Sequence, residues 1–130
     1  MELLKKRCAP CERGAPPLSD SAEDALRALR ALSAGASSWK IDRMGVHRLI
    51  KAYSFSSFPD AVSFVNSVAI IAEREQHHPV IKISYRTVEI TCTTHATGGL
   101  SENDFILAAK IDEAYSILTK PAGVFESAML

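Results

Sequence analysis

The chain has 130 residues, of which 47% are hydrophobic and 23% are charged. This length suits one compact domain, because two separate cores would each bury too little apolar surface. The composition is that of a globular protein and excludes a largely disordered chain. Fifteen basic residues balance fifteen acidic ones, which excludes a strong overall attraction to polyanions. We therefore expect no direct nucleic-acid binding and no membrane partner.

Membrane insertion and secretion are also not indicated by the sequence. No apolar run approaches the ~20 residues that a membrane-spanning helix needs. Residues 1–7 lack the apolar segment that follows the charges of a secretory signal. We expect a soluble, cytoplasmic protein.

The three cysteines are Cys8, Cys11 and Cys92, an odd set that does not predict a disulfide framework. Cys8 and Cys11 have the spacing of half a zinc site. No second close pair of cysteine or histidine accompanies them to complete four ligands. The simpler interpretation is a tail that carries two thiols.

Composition divides the chain into a domain with a tail at each end. Residues 1–19 are rich in proline and glycine, which favours an extended or turning backbone and supplies few core side chains. We predict an N-terminal tail or strap over residues 1–19, a single domain over 20–120 and a C-terminal tail over 121–130.

Three stretches have the apolar spacing of amphipathic helices. The first covers residues 20–33. The second begins at a capping box of Ser57 and Asp60 and runs to about residue 76, and the third begins at a capping box of Ser101 and Asp104. The predicted core faces are Leu26, Leu29 and Leu32 in the first helix, Phe58, Val62, Val65, Ala69 and Ala72, widened by Phe64, Val68 and Ile71, in the second, and Phe105, Ala108, Ile111, Tyr115 and Leu118 in the third.

Alternating and β-branched residues predict two hairpins between these helices. The first joins strands over 39–43 and 46–55, and the second turns at Arg86 and Thr87. In the second hairpin the residues that alternate on the core side are Ile81, Ile83 and Tyr85 on one strand and Val88, Ile90 and Cys92 on the next. This pattern puts His95 on a polar strand face and Tyr85 half in the core.

The resulting order is α-β-β-α-β-β-α. Strands joined by short hairpins cannot all be parallel, because a parallel crossover needs a long connection. We predict an α+β fold in which helices cover one face of a four-stranded antiparallel sheet. The sheet's other face and the unpaired backbone groups at its edges can be covered by a second copy of the chain, so we expect a homodimer or homotetramer.

Three histidines are the candidate chemical groups. His77 and His78 precede Pro79, which ends the second helix and favours extended backbone at His78. Imidazole titrates near neutral pH and suits proton transfer, so we interpret the pair and His95 as acid–base residues. Three imidazoles could also hold a metal, but neighbouring side chains on an extended segment point apart. We expect neither metal nor cofactor.

The spacing of these residues resembles a known family. The sequence has Glu73, then His77-His78-Pro79, an aromatic at Tyr85, and Thr-Thr-His-x-x-x-Gly-Leu-Ser-x-x-Asp at positions 93–104. This pattern is similar to the signature of the pterin-4a-carbinolamine dehydratases. The resemblance spans residues 18–118, and the order of elements is also that of the family's α+β fold.

The resemblance implies a lyase that removes water from 4a-hydroxytetrahydrobiopterin to give quinonoid dihydropterin. It would thereby recycle the cofactor of aromatic amino-acid hydroxylation. His77, His78 and His95 would surround the pterin ring, with two of them acting as acid and base and His78 helping to bind and orient the substrate.

Four further residues are implied in substrate binding. Backbone groups near Thr93 and Thr94 would contact the heterocycle, while the carboxylates of Glu73 and Asp104 would raise the proton affinity of nearby imidazoles. Simpler interpretations stand beside these. Glu73 has the i,i+4 spacing of a plain surface pair with His77, and Asp104 has the position of a helix cap.

Three departures from the family pattern concern rate and substrate preference. Gln76 stands where animal members have Asp, Ile81 where they often have Trp, and Asn103 where Arg is common. The three histidines are intact, so activity is expected. The family also implies a different class of function, a transcriptional dimerisation cofactor or an assembly factor, and a weaker alternative is a role with molybdopterin or folate-related compounds.

Overall fold

The computed structural model describes residues 3–9, 17–18, 21–32 and 38–119. The predicted α+β fold is confirmed, with its elements in the predicted order. The helices are α1 (Ser21–Leu32), α2 (Phe58–Glu75) and α3 (Glu102–Leu118), with 3₁₀ turns at Leu3–Lys5 and His95–Thr97. The strands are β1 (Lys40–Asp42), β2 (Arg48–Ser54), β3 (Val80–Ser84) and β4 (Thr87–Cys92). Cys11 and the predicted C-terminal tail over 121–130 lie outside the described residues.

The four strands form one antiparallel sheet in the order β1-β2-β4-β3. β2 and β4 are the central pair, with Leu49 opposite Cys92 and Tyr53 opposite Val88. Alternate residues of these two strands point to the same side, and that side packs with all three helices in one buried core. None of the helices in the described ranges is both long and apolar enough to cross a bilayer.

The core face of α2 agrees only in part with the predicted one, because Phe64, Val68 and Ala72 are buried as predicted but other residues of the predicted face are exposed. Ser57 caps the helix by accepting from the Asp60 N–H at 3.2 Å, while the Asp60 carboxylate accepts from the Ser56 hydroxyl. Phe58 is 48% exposed, although it was predicted to be in the core. Apolar residues occur on most sides of this helix, so their spacing alone does not define which side faces the core. The buried residues of α2 are Ala61, Phe64, Val68, Ala72 and Glu75.

The turn between β3 and β4 lies one residue earlier than predicted. Ser84 pairs with Thr87, which leaves Tyr85 and Arg86 as the two loop residues. Two-residue hairpin turns favour positive φ at their first position, and Tyr85 has φ 52. Its side chain is 68% exposed, so the prediction of a half-buried Tyr85 on a strand was wrong. The prediction that His95 lies on a strand was also wrong, because β4 ends at Cys92.

A buried polar cluster joins α3 to the sheet. The carboxylate of Asp112 accepts from the Trp39 indole N–H at 3.0 Å, the Lys51 ammonium at 2.9 Å and the Tyr53 hydroxyl at 2.5 Å. All four residues are buried. Trp39, left out of the predicted site, is therefore a core anchor whose one polar atom has a partner, as buried indoles usually require.

Candidate functional site

The end of α2 determines where the adjacent histidines lie. Gln76 follows the helix in the left-handed conformation, with φ 52, and its N–H donates to the carbonyls of Ala72 and Glu73. The His77 N–H also donates to the Ala72 carbonyl, at 3.2 Å. These bonds satisfy the carbonyls of Ala72 and Glu73 near the helix end, and the left-handed conformation of Gln76 turns the chain away from the helix axis. His77 and His78 therefore lie at a corner, immediately before β3.

His77 contacts a buried carboxylate from a distant part of the chain. Its Nε2 lies 2.7 Å from Oδ1 of Asp104, which has no exposed surface, and the His77 side chain is 13% exposed. An ionised carboxylate only accepts hydrogen bonds, so Nε2 of a neutral His77 carries the hydrogen. Nδ1 is then the lone-pair nitrogen. This arrangement fixes the tautomer in the way that carboxylate–histidine pairs do in many active sites.

Asp104 is held in place by the loop that precedes α3. Its Oδ2 accepts from the Thr94 hydroxyl at 2.7 Å and from the Ser101 N–H at 2.9 Å. Thr94 also lies 2.8 Å from the Ser101 hydroxyl. The bond from the Ser101 N–H to Asp104 is half of a capping box at the start of α3. Asp104 therefore caps the helix and holds His77 at the same time, which joins the two interpretations of this residue.

His78 forms a second, exposed pair. Its Nε2 lies 2.6 Å from Oε1 of Glu73, and both side chains are largely exposed. Glu73 thus contacts His78 and not His77, the residue that its i,i+4 spacing indicates. An exposed contact between a basic and an acidic side chain adds little to stability, typically about 0–1 kcal/mol. The pair leaves an imidazole accessible at the surface next to His77.

The loop after β4 carries the remaining predicted residues. The Thr94 N–H donates to the Gly99 carbonyl at 2.9 Å, and the Gly99 N–H returns a bond to Thr94. His95 opens the 3₁₀ turn and is exposed. The Thr93 hydroxyl donates to the carbonyl of His47 at 2.9 Å. His95 thus directly follows the threonine that holds Asp104.

Two residues of this region were missed by the sequence analysis. Ser101 was predicted only as a cap, although its hydroxyl and N–H both belong to the network around Asp104. His47 was not singled out, and its carbonyl ties the loop before β2 to Thr93. His47 has no local sequence signal, and the capping-box signal of Ser101 does not indicate its contact with Thr94. In the described ranges, no three His, Cys, Asp or Glu side chains converge where they could hold a metal ion.

Comparison with known proteins identifies the family. Residues 19–114 match the family model described as pterin 4 alpha carbinolamine dehydratase. The chain belongs to the pterin-4a-carbinolamine dehydratase family. A member from Rickettsia canadensis is 43% identical over 85% of this chain and 94% of its own length. One from Nitrosospira multiformis is 43% identical over 89% of this chain and 95% of its own. Both proteins are named provisionally as pterin-4-alpha-carbinolamine dehydratases.

Solved structures of this dehydratase fold are also similar. The crystal structure of a transcriptional coactivator/pterin dehydratase from Brucella melitensis has a TM-score of 0.65 and 28% identity, and it covers 76% of this chain and 98% of that one. A pterin dehydratase-like RuBisCO assembly factor of the alpha-carboxysome has a TM-score of 0.53 and 24% identity, covering 60% of this chain and 89% of that one. The second likeness shows the fold alone.

Proposed function

We propose that this protein removes water from 4a-hydroxytetrahydrobiopterin to give quinonoid dihydropterin. In this reaction the C4a–O bond breaks, a proton joins the leaving hydroxyl, and a ring N–H gives up its proton. No electron acceptor is needed, so two titratable side chains suffice. The observation that carries the proposal is the contact between His77 and buried Asp104, beside the exposed imidazole of His78.

The geometry supports a division of roles among the three histidines. The Asp104 carboxylate occupies Nε2 of His77, which leaves Nδ1 to take a proton from the substrate. His95 is exposed and follows Thr94, so we propose it as the partner acid. His78, paired with Glu73, would bind and orient the pterin. In the reverse direction the acid and the base exchange roles.

The four residues predicted to bind substrate separate into two groups. Glu73 is exposed and Thr93 is only partly buried, so the Glu73 carboxylate and the backbone near Thr93 remain candidates for contact with the pterin. Asp104 has no exposed surface, and the N–H and hydroxyl of Thr94 are already hydrogen-bonded within the chain. We therefore propose that Asp104 and Thr94 act through His77 as positioning residues.

The direct test is stopped-flow measurement of the dehydration of freshly generated 4a-hydroxytetrahydrobiopterin. The untagged protein is compared with buffer alone and with protein whose histidines have been carbethoxylated. We expect the native protein to accelerate the reaction well beyond the buffer rate and the modified protein to lose this acceleration. A native rate equal to the buffer rate would reject the proposed reaction.

Replacing His78 with alanine should affect binding more than chemistry. This side chain is exposed and has its own carboxylate partner, so its removal takes away a substrate contact without disturbing His77 and Asp104. We expect KM to rise and kcat to fall by less than about tenfold, the pattern of lost uniform binding. Steady-state kinetics of His78→Ala and of Glu73→Gln test this role. A kcat loss as large as that of His77→Ala would instead assign proton transfer to His78.

We also propose that the protein is a homo-oligomer. β3 is an outer strand of the described sheet and carries exposed Val80 and Ile83, and exposed Tyr85 directly follows it in the turn. Outer strands with apolar side chains are usually covered, because their backbone groups pair readily with another chain. Light scattering should therefore give a mass of at least twice 14.1 kDa, and Val80→Lys should lower it. A monomeric mass for the native protein would reject the proposal.

The second candidate function is non-catalytic assembly or coactivation. It is favoured by the similar Brucella protein, which is named both a transcriptional coactivator and a pterin dehydratase. The two functions make different demands on His95, which lies in an exposed turn. In a strain that depends on this protein, His95→Ala should abolish complementation if dehydration is the function. Full complementation by a variant with no dehydratase rate would favour the non-catalytic role.

A further inference from the structure

The N-terminal strap, defined here as residues 3–9, lies outside the region that matches the family model. It is nevertheless packed against the domain. Leu3 is fully buried in the core, and Lys6 pairs with Glu102 at 3.1 Å. The strap therefore has specific contacts with the domain.

Glu75, the last residue of α2, is the first point at which the strap is held. Its side chain is only 2% exposed. It accepts from the Cys8 N–H at 2.9 Å and pairs with Arg7 at 3.0 Å and with Lys110 of α3 at 3.3 Å. One buried carboxylate thus joins the strap, the end of α2 and the body of α3.

Asn103, near the start of α3, is the second point. Its side-chain oxygen accepts from the Ala9 N–H at 2.9 Å, and its side-chain nitrogen donates to the Ala9 carbonyl at 2.6 Å. The Cys8 thiol also lies 3.5 Å from the Asn103 carbonyl. An amide that makes both bonds to one backbone residue fixes distance and direction together. Asn103 was one of the three departures from the family pattern, and this contact gives it a structural role.

The two attachment points are adjacent to the candidate site. Glu75 precedes His77 by two residues, and Asn103 directly precedes Asp104. The strap therefore connects the two chain segments whose side chains meet at the 2.7 Å contact between His77 and Asp104. Because the strap is bonded to both segments, it restrains the distance between the end of α2 and the start of α3. The contact between His77 and Asp104 depends on this distance.

We propose that the N-terminal strap is a positioning device for the His77–Asp104 pair, with Glu75 and Asn103 as its positioning residues. The catalytic part of this inference rests on the proposed dehydration. Releasing the strap would let the ends of α2 and α3 separate. Displacements of about 1 Å can cost on the order of 10²-fold in rate, because proton transfer requires close alignment. Substrate contacts through His78 do not involve the strap, so KM should change less than kcat.

Asn103→Ala is the variant that tests the proposal. Deleting the strap would also remove Leu3 from the core, whereas Asn103→Ala removes the two bonds to Ala9 and leaves Leu3 in place. The matched control is Ala25→Gly in α1, a buried position away from the site that lowers helix stability. Two quantities are measured for each variant: kcat and KM for dehydration, and the ¹H–¹⁵N imidazole signals of His77, which report its bond to Asp104 without turnover.

We expect Asn103→Ala to lower kcat by about 10- to 100-fold with a smaller change in KM, and to shift the His77 imidazole signals. Ala25→Gly should leave both unchanged at a comparable loss of thermal stability. Native kcat and native His77 signals in Asn103→Ala would overturn the proposal, as would equal losses in Ala25→Gly. If the native protein has no dehydratase activity, the proposed function fails, but the imidazole signals still decide whether the strap holds His77.

Low pH should weaken the attachment of the strap to Glu75, because protonation removes the charge of this carboxylate. Burial raises the pKa of Glu75, but the Cys8 N–H, Lys110 and Arg7 outweigh it and hold the pKa below its ordinary value. A carboxyl with a lowered pKa stabilises the fold above the unfolded-state pKa of ~4.3, and this contribution is lost as the pH falls through the folded value. The Tm of the native protein should therefore fall more between pH 7 and pH 3 than the Tm of Glu75→Gln. Equal falls would show that Glu75 does not carry this dependence.

Discussion

Replacing His77 with alanine is expected to lower kcat for pterin dehydration by about 10²- to 10⁴-fold, the usual contribution of one acid–base group. The reason is its environment. His77 is mostly buried, has Nε2 bound to Asp104, and leaves Nδ1 for the substrate. Alanine removes the proton acceptor and leaves the Asp104 carboxylate without its imidazole partner. The measurement is single-turnover stopped-flow kinetics at saturating substrate between pH 6 and pH 9.

Asp104→Asn is the companion to this variant. An asparagine keeps the size of the side chain and can still accept from the Ser101 N–H. Its amide can also donate to Nε2 of His77, which would reverse the tautomer and place the hydrogen on Nδ1. We expect a loss of kcat that is smaller than for His77→Ala, with KM nearly unchanged. If both variants retain the native rate while remaining folded, proton transfer by His77 is excluded and the non-catalytic role gains support.

Much of the fold could be predicted because its pattern is local. On β4 the alternation of Val88, Ile90 and Cys92 predicted their burial, and all three lie in the core. On α2 the length and the N-cap were local features too, but the buried face was predicted only in part. There, Phe64 packs against Tyr53, Phe55 and Tyr115, which come from distant parts of the chain. Such packing fixes the rotation of a helix and is not encoded in its own spacing.

The candidate site could be predicted as a set of residues but not as a geometry. The family resemblance identified His77, Thr94 and Asp104, yet their contacts depend on how α2, β4 and α3 come together. Glu73 illustrates the limit. Its i,i+4 spacing indicates His77, but the helix ends at Glu75 and Gln76 turns the chain, so Glu73 meets His78 instead. A strap was one of the two forms predicted for the N-terminal segment, but its contacts could not be predicted for the same reason, since they span more than 60 residues of sequence.

Asp112→Ala is expected to destabilise the fold by about 3–5 kcal/mol, the usual cost of removing one partner from a buried ion pair. Asp112 accepts from Lys51, Trp39 and Tyr53 at the interface of α3 with the sheet, and the Lys51 and Asp112 side chains are 5% and 9% exposed. Burial and the Asp112 charge raise the pKa of Tyr53 well above its ordinary value, so its hydroxyl stays a donor. Alanine removes the common acceptor of all three groups.

Urea denaturation at pH 7 measures this loss, and a charge-free double variant separates its causes. In Lys51→Met/Asp112→Leu both charges are gone, so the remaining loss should be clearly smaller than for Asp112→Ala alone. If the single variant loses less than about 1 kcal/mol, the range of an exposed pair, the cluster is not a structural anchor. The result also bears on the site. Asp112 follows Asp104 by about two turns of α3, so the anchor that holds this helix against the sheet also limits how far Asp104 can move from His77.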